Sequence, residues 1–218
     1  MNIFRLVGDM LHLMAILILL TKMLRFRTAA GISLKTQFLF ALVFTCRYTD
    51  LVTHFVSYYN TIMKIVYLAT SYHICYLMRF TSPWKATYDR ANDSFRIEYL
   101  IVACACLAIG FHRHTLHEVQ EVLWTFSEYL EAVAILPQIF LLENTEKYEA
   151  LTSHYIFALG AYRVFYVFNW IYRYYVEGYV SWVSWIAGTL QTLLYVDFFY
   201  HYIVQVVKGA KTKFDLAH

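Results

Sequence analysis

The sequence predicts an all-α integral membrane protein, with seven transmembrane helices built as two three-helix repeats joined by a linker helix. Of 218 residues, 60% are hydrophobic and only 15% charged, whereas a soluble domain is nearer half apolar and about a quarter charged. Two prolines and seven glycines leave little for long loops. At about 20 residues per crossing plus short connections, the chain has room for about seven spans. Basic residues also collect at alternate connections, as they do where cytosolic loops retain positive charge.

The spans are expected at roughly 3–22, 36–54, 61–79, 97–112, 121–142, 152–174 and 181–206, one compact domain over 1–218 with a short tail from about 207. The first holds the apolar run Leu13–Leu20, which has the length of a signal-peptide core. Its positive charges (Lys22, Arg25, Arg27) follow the run, and Asp9 and His12 precede it. That order is the reverse of a cleaved signal, so a retained helix is expected. The fourth span is the least distinctive and lies between two groups of three, which suggests the linker. Pro137-Gln138 near the end of the fifth supports the repeat reading, because such pairs mark transporter repeats. Spans six and seven are rich in Tyr and Trp (Tyr172, Tyr174, Tyr175, Tyr179, Trp182, Trp185), mostly an interfacial belt.

Charge sets the orientation. Lys22, Arg25, Arg27 and Lys35 lie in the first connection, Arg79, Lys85, Arg90 and Arg96 in the third, and Lys208, Lys211 and Lys213 in the tail. These lie on one side of a seven-span chain, so the N-terminus is expected in a lumen and the C-terminus in the cytosol. The sequon Asn92-Asp93-Ser94 then falls in the cytosol and carries no glycan. The net charge of +3 is orientation charge; the partner it implies is the lipid bilayer, not nucleic acid. Cys46, Cys75, Cys104 and Cys106 all sit in apolar stretches and are read as small buried hydrophobes.

Polar groups inside the spans are costly, roughly 2.5–3.5 kcal/mol for an arginine at mid-bilayer on insertion scales, so they usually face a cavity or a partner. Arg5, Asp9 and His12 share one face of span one. Arg47, Asp50 and His54 do so on span two, with Tyr48 adjacent. Glu121, Trp124, Glu128 and Glu131 form a stripe on span five, and Tyr162, Tyr166, Asn169 and Arg173 on span six, with Trp170 beside them. Arg–Asp and Arg–Glu pairs holding helices together would explain any one stripe. Four stripes exceed what interhelical bonds of well under 2 kcal/mol need. Arginine keeps its proton and matches carboxylates with a planar fork, so convergent arginines suggest a site for an acidic ligand. His12 is the group able to change charge between pH 5 and 8.

The run His112-x-His114-x-x-His117 with Glu118 resembles a metal cluster but straddles a helix end and a loop, so it is read as a solvated loop. No metal, no cofactor and no enzymatic activity are expected. Asp197 lies among Tyr195, Phe198, Phe199 and Tyr200, where it pairs with Arg163 or acts as a switch element.

Long stretches of the chain resemble the KDEL receptors: Met1-Asn2-Ile3-Phe4-Arg5, Ala30-Gly31-Ile32-Ser33, Ala41-Leu42-Val43-Phe44 with Arg47-Tyr48-x-Asp50-Leu51, Tyr129-Leu130-Glu131-Ala132-Val133-Ala134-Ile135-Leu136-Pro137-Gln138, and Asn169-Trp170-Ile171-Tyr172-Arg173. The resemblance runs nearly end to end. It implies a fold related to the SWEET and PQ-loop transporters, and a ligand that is the C-terminal Lys-Asp-Glu-Leu or His-Asp-Glu-Leu tetrapeptide of an escaped endoplasmic-reticulum protein. It also implies residence in Golgi and endoplasmic-reticulum membranes. By the family pattern Arg47 with Tyr48 holds the terminal carboxylate, Arg5 the ligand Glu and Arg173 its Asp. Asp50 and Glu121, with Trp124, receive its Lys or His, and Tyr162, Tyr166 and Trp170 complete the pocket. His12, Glu131 and Tyr162 resemble a proton-sensing group that closes on cargo in the acidic Golgi and releases it at neutral pH. Lys208, Lys211 and Lys213 resemble a coatomer (COPI) signal, and Asp197 a trafficking position.

Departures from that pattern are Glu128, an added acid expected to disturb the sensor, His54 near the pocket, the histidine-rich lumenal loop, and the tail Phe214-Asp215-Leu216-Ala217-His218. Rival readings are a transporter of sugars or amino acids on the same fold, a membrane enzyme using the histidine cluster, and a structural protein. The charged stripes argue against sugar.

Overall fold

A computed structural model describes residues 2–51, 55–112, 118–145 and 150–215, with the helix backbone alone for 150–153, 197–198 and 201–215. The described residues form nine α-helices, one 3-10 turn and no strand. The helices are α1 (Ile3–Phe26), α2 (Leu34–Arg47), α3 (Tyr58–Phe80), α4 (Trp84–Thr87), α5 (Ile97–Gly110), α6 (Glu118–Val133), α7 (Leu136–Thr145), α8 (Ala150–Glu177) and α9 (Trp182–Asp215). Three begin on side-chain caps: Asn2 accepts the Arg5 N–H, Ser33 that of Thr36 and Ser57 that of Asn60. Among the described residues, Ile3–Phe26 and Glu118–Thr145 are long and apolar enough to cross a membrane, and Ile97–Gly110 is a shorter apolar helix.

Four of the expected spans correspond to α1, α3, α5 and α8, and three differ. The second stops at Arg47, is capped by Tyr48 and gives way to a 3-10 turn at Thr49–Leu51. Asp50 therefore leaves the helical face assigned to it beside Arg47. The turn delivers its carboxylate to α3, where Lys64 Nζ lies 2.7 Å away; His54 lies outside the described residues. The fifth span is two helices, because Pro137 lacks an N–H and its ring clashes with the carbonyl four residues back. The last helix runs on to Asp215 instead of ending near 206, so Lys208, Lys211 and Lys213 ride on its backbone. Residues 201–215 contain no proline to stop it.

Within the first group α2 and α1 both pack on α3; within the second α8 and α6 both pack on α9. Between the groups α1 lies along α8, and α2 along α6. Exchanging the two groups maps this pattern onto itself. α5 packs against α6 and buries only Cys104 and Ala108. All four cysteines are free thiols, but of the four assigned as buried only Cys104 is; Cys46 and Cys75 are half-buried, and Cys106 is exposed. Two residues from Cys104, it points to nearly the opposite side of the helix.

Apolar side chains form the core and also cover much of the outer surface, while several charges lie inside. Met10, Met14, Leu17 and Leu24 face outward on α1, as do Trp182, Ile186, Leu190 and Leu193 on α9, while Asp9, Lys64, Glu128, Glu131 and Arg163 are buried. This arrangement suits an all-α membrane protein, whose outer surface meets lipid and whose charges face one another.

The end carrying the basic loops is tied together by buried polar groups. Gln138, left at the start of α7 by the Pro137 break, donates its N–H to Thr36 Oγ1, its Oε1 accepts the Ser33 N–H, and its Nε2 donates to Gly31 O, each at 2.9 Å. Ser33 Oγ donates to the buried Asp93 at 2.9 Å, and Tyr88 O–H donates to the same carboxylate at 2.7 Å. Burial first, and then this bond, pushes the Tyr88 hydroxyl well above its ordinary ionisation range. Trp84 Nε1 donates to Met23 O at 2.8 Å and Lys22 Nζ to Ala30 O at 3.0 Å. The Trp84 bond satisfies a carbonyl in the last turn of α1. Asn92 of the sequon donates Nδ2 to Asp89 at 2.6 Å.

Candidate functional site

A cavity of about 250 Å³ opens at the opposite end, walled by the N-terminal parts of α1, α3 and α9, the middle and C-terminal part of α6, and the C-terminal parts of α2 and α8. Of the residues expected in the site, it brings together Arg5, His12, Arg47, Tyr48, Trp124, Glu131, Tyr162, Tyr166, Trp170 and Arg173. Asp50 and Glu121 are not on the wall. Asp50 is turned to Lys64, and Glu121 is half-buried one turn nearer the start of α6 than Trp124. Asp197 and the tail lysines lie outside the described side chains. So do His114 and His117. His112 donates its Nδ1 proton back to the Ala108 and Ile109 carbonyls, at 3.1 and 3.0 Å. No group of three or more metal-ligating residues occurs among the described residues.

The α1 stripe faces α8. Asp9 accepts hydrogen bonds from Tyr166 O–H and, at 3.1 Å, from Tyr59 O–H, while Tyr67 O–H donates to the Asp9 carbonyl at 2.9 Å. One turn on, the His12 ring stacks on Tyr162 with centroids 4.2 Å apart and planes 3° from parallel. Phe44 and Tyr67 enclose it from α2 and α3.

Below His12 lies the charge centre. Tyr162 O–H donates to Glu131 Oε1 at 2.7 Å. Arg47 donates Nη1 to Glu131 Oε2 and Nε to Ser127 Oγ at 3.0 Å, and its Nη2 lies 3.2 Å from Glu128 Oε1. Arg163 Nη1 approaches Glu131 at 3.5 Å, leaving its buried Nε and Nη2 without hydrogen-bond partners. Its guanidinium lies 5.6–5.9 Å from the Tyr162, Tyr166 and Trp170 ring centroids, within cation–π range. Arg163, which the sequence offers as one of two readings for Asp197, stands in this centre beside Glu131, while the Asp197 side chain lies outside the described residues.

Three further cations complete the wall. Lys64, which the sequence reading missed, is neutralised by Asp50. Its signal was present, since Asn60, Lys64 and Tyr67 are spaced i, i+4, i+7 and all line the cavity. Arg173 at the mouth pairs with Glu177 at 2.7 Å and lies over the Tyr179 ring at 4.0 Å. Arg5 is exposed on the rim and forms no ion pair among the described residues.

Trp170 is held from behind by Gly188 on α9. A Cβ there would come within 2.0 Å of its ring. Gly188→Ala is expected to cost about 1–3 kcal/mol by overpacking and to push the indole into the cavity. A lowered thermal midpoint with altered tryptophan fluorescence would register both effects; an unchanged protein would mean the helices part freely.

The family model for the ER lumen protein retaining receptor matches residues 28–173 of this chain. The chain is 55% identical over 212 residues to the ER lumen protein-retaining receptor of Drosophila melanogaster, covering 97% of this chain and 98% of that one. It belongs to the ER lumen protein-retaining receptor family. The Caenorhabditis elegans ER lumen protein-retaining receptor erd-2.2 is 54% identical, with 97% of each chain covered. The human ER lumen protein-retaining receptor 2 is 53% identical over 97% of this chain and 98% of its own. The family match makes this a retention receptor, not an enzyme. The receptor's cavity has the character of a binding site, with fixed charges and stacked rings.

Proposed function

We propose that this receptor captures the C-terminal Lys-Asp-Glu-Leu or His-Asp-Glu-Leu sequence of escaped lumenal proteins in the mildly acidic Golgi and releases it in the neutral endoplasmic reticulum. The observation that carries this reading is the charge balance of the cavity. Its wall holds Arg5, Arg47, Lys64, Arg163 and Arg173 against Asp9, Glu128 and Glu131. With Lys64 and Arg173 paired to Asp50 and Glu177, the remaining three cations and three carboxylates balance. Such a tetrapeptide has two acidic side chains, a terminal carboxylate and one cation, so it is net anionic. Bringing it in favours one added positive charge on the wall, and His12 is placed to supply it.

Arg47 with Tyr48 receives the terminal carboxylate, Arg5 the ligand Glu, and Arg173, after leaving Glu177, the ligand Asp. Asp50 and Glu121, with Trp124, take the ligand cation once the helices close, and Tyr162, Tyr166 and Trp170 line the rest. The fold is read as seven spans, α6 and α7 forming one, in two exchangeable groups of three joined by α5. The cavity end faces the lumen and the basic end the cytosol, because the cavity and the basic loops lie at opposite ends. The lysines of α9, Lys208, Lys211 and Lys213, are the coatomer-binding element, and Asp197 serves trafficking rather than binding.

Labelled peptides ending in either tetrapeptide, titrated at pH 5.5 and 7.4, test this. Protonated His12 favours the anionic peptide, so affinity should fall as pH rises through the imidazole range, by at most about tenfold per unit for one group. C-terminal amidation should abolish binding. Absence of binding at both pH values would overturn the reading in favour of a SWEET-like transporter, detectable as flux in liposomes; pH-independent binding would remove His12 from the switch.

A further inference from the structure

We infer that Glu128 is a built-in competitor for the ligand's terminal carboxylate, setting how readily Arg47 loads. The inference rests on the proposed role of Arg47. Arg47 spends Nε on Ser127 and Nη1 on Glu131, so the group left to meet an incoming carboxylate is Nη2. That nitrogen is buried and makes no hydrogen bond, although Glu128 Oε1 sits within ion-pair distance at 3.2 Å. The contact is electrostatic and poorly aligned. It holds a carboxylate beside the one donor the ligand needs without satisfying it.

Glu128 and Glu131 are three residues apart on α6 and point to one guanidinium. Their roles differ. Glu131 is bonded by Tyr162 as well as Arg47 and is part of the centre's framework. Glu128 has no hydrogen bond among the described residues, and its side chain is 10% exposed. An arriving carboxylate therefore displaces Glu128 rather than Glu131, and until it does so two like charges share one site, a juxtaposition that costs several kcal/mol. Asp9 from α1, Lys64 from α3 and Arg163 from α8 also line the cavity; Asp9 is bonded by two tyrosines, Lys64 is held by Asp50, and Arg163 has Glu131 as its nearest carboxylate at 3.5 Å, so the contest at Nη2 itself is between Glu128 and the incoming carboxylate.

Peptide titration of the full-length receptor in detergent, wild type against Glu128→Gln and Glu128→Leu, tests this at pH 5.5 and 7.4. Both variants should bind the free-acid peptide at least about tenfold more tightly, with no gain for the amidated peptide. Gln keeps the shape of the side chain and Leu suits the apolar packing of α6. Thermal midpoints establish that each folds, Glu131 still pairing Arg47. Equal or weaker free-acid binding by folded variants, while the wild type binds, would overturn the inference; a like gain for the amidated peptide would too, since it would mark a general loosening of the cavity. No binding by the wild type would count against the receptor reading instead.

Discussion

Arg47→Lys is expected to weaken binding of an acid-terminated peptide by about a hundredfold, about 2.7 kcal/mol, while the receptor still folds. The charge survives, so Glu131 keeps a cationic partner and is not left buried alone. The loss is geometric. Arg47 serves Ser127, Glu131 and the Glu128 side of the cavity from three separate nitrogens of one planar group. A lysine offers its donors from a single atom and cannot bridge those positions together. Either it stays with Glu131 and leaves the ligand unmet, or it turns to the ligand and abandons Glu131. Peptide titration beside a thermal melt separates these effects. Wild-type affinity in the lysine variant would show that simple charge suffices, and the fork would have no role.

The stripes on α1 and α8 were legible because both helices are regular across the cavity. Arg5, Asp9 and His12, like Tyr162, Tyr166 and Arg173, arrive on the wall where their spacing places them. Legibility fails where the helix stops. Asp50 keeps the spacing of an α2 stripe, yet the 3-10 turn after Arg47 carries it to Lys64. Arg163 lies one residue off its stripe, beside Tyr162; only the approach of α8 to Glu131 of α6, 3.5 Å from Arg163, reveals its place in the charge centre. The cluster of Ser33, Asp93 and Gln138 was not legible at all. Its members are separated by 60 and 105 residues, and no local pattern encodes such contacts. Pro137-Gln138 was noticed as a motif, but its physical use, a helix break whose glutamine binds the first connection, emerges only from the fold.

Glu131→Ala is expected to destabilise the receptor by about 3–5 kcal/mol, the cost of removing one partner from a buried ion pair. Glu131 is 1% exposed and is approached by Arg47, Arg163 and the Tyr162 hydroxyl. Alanine leaves two guanidinium groups facing each other across a cavity in the protein interior. Arg47 retains Glu128 and Ser127, so much of the penalty falls on Arg163, whose Nε and Nη2 already lack hydrogen-bond partners. The companion change Arg163→Met should therefore recover a large part of the loss by removing the unneutralised charge, whereas Arg47→Met should recover less. Thermal midpoints of the single and double variants in one detergent decide the matter. Equal rescue by both methionines would mean that the guanidinium groups share Glu131 evenly, and a parent-like Glu131→Ala would mean that water entering from the cavity already neutralises the centre. Preferential rescue by Arg163→Met would make Glu131 chiefly the counter-ion of α8, which frees Arg47, also touched by Glu128 and Ser127, to exchange one carboxylate for another when cargo arrives.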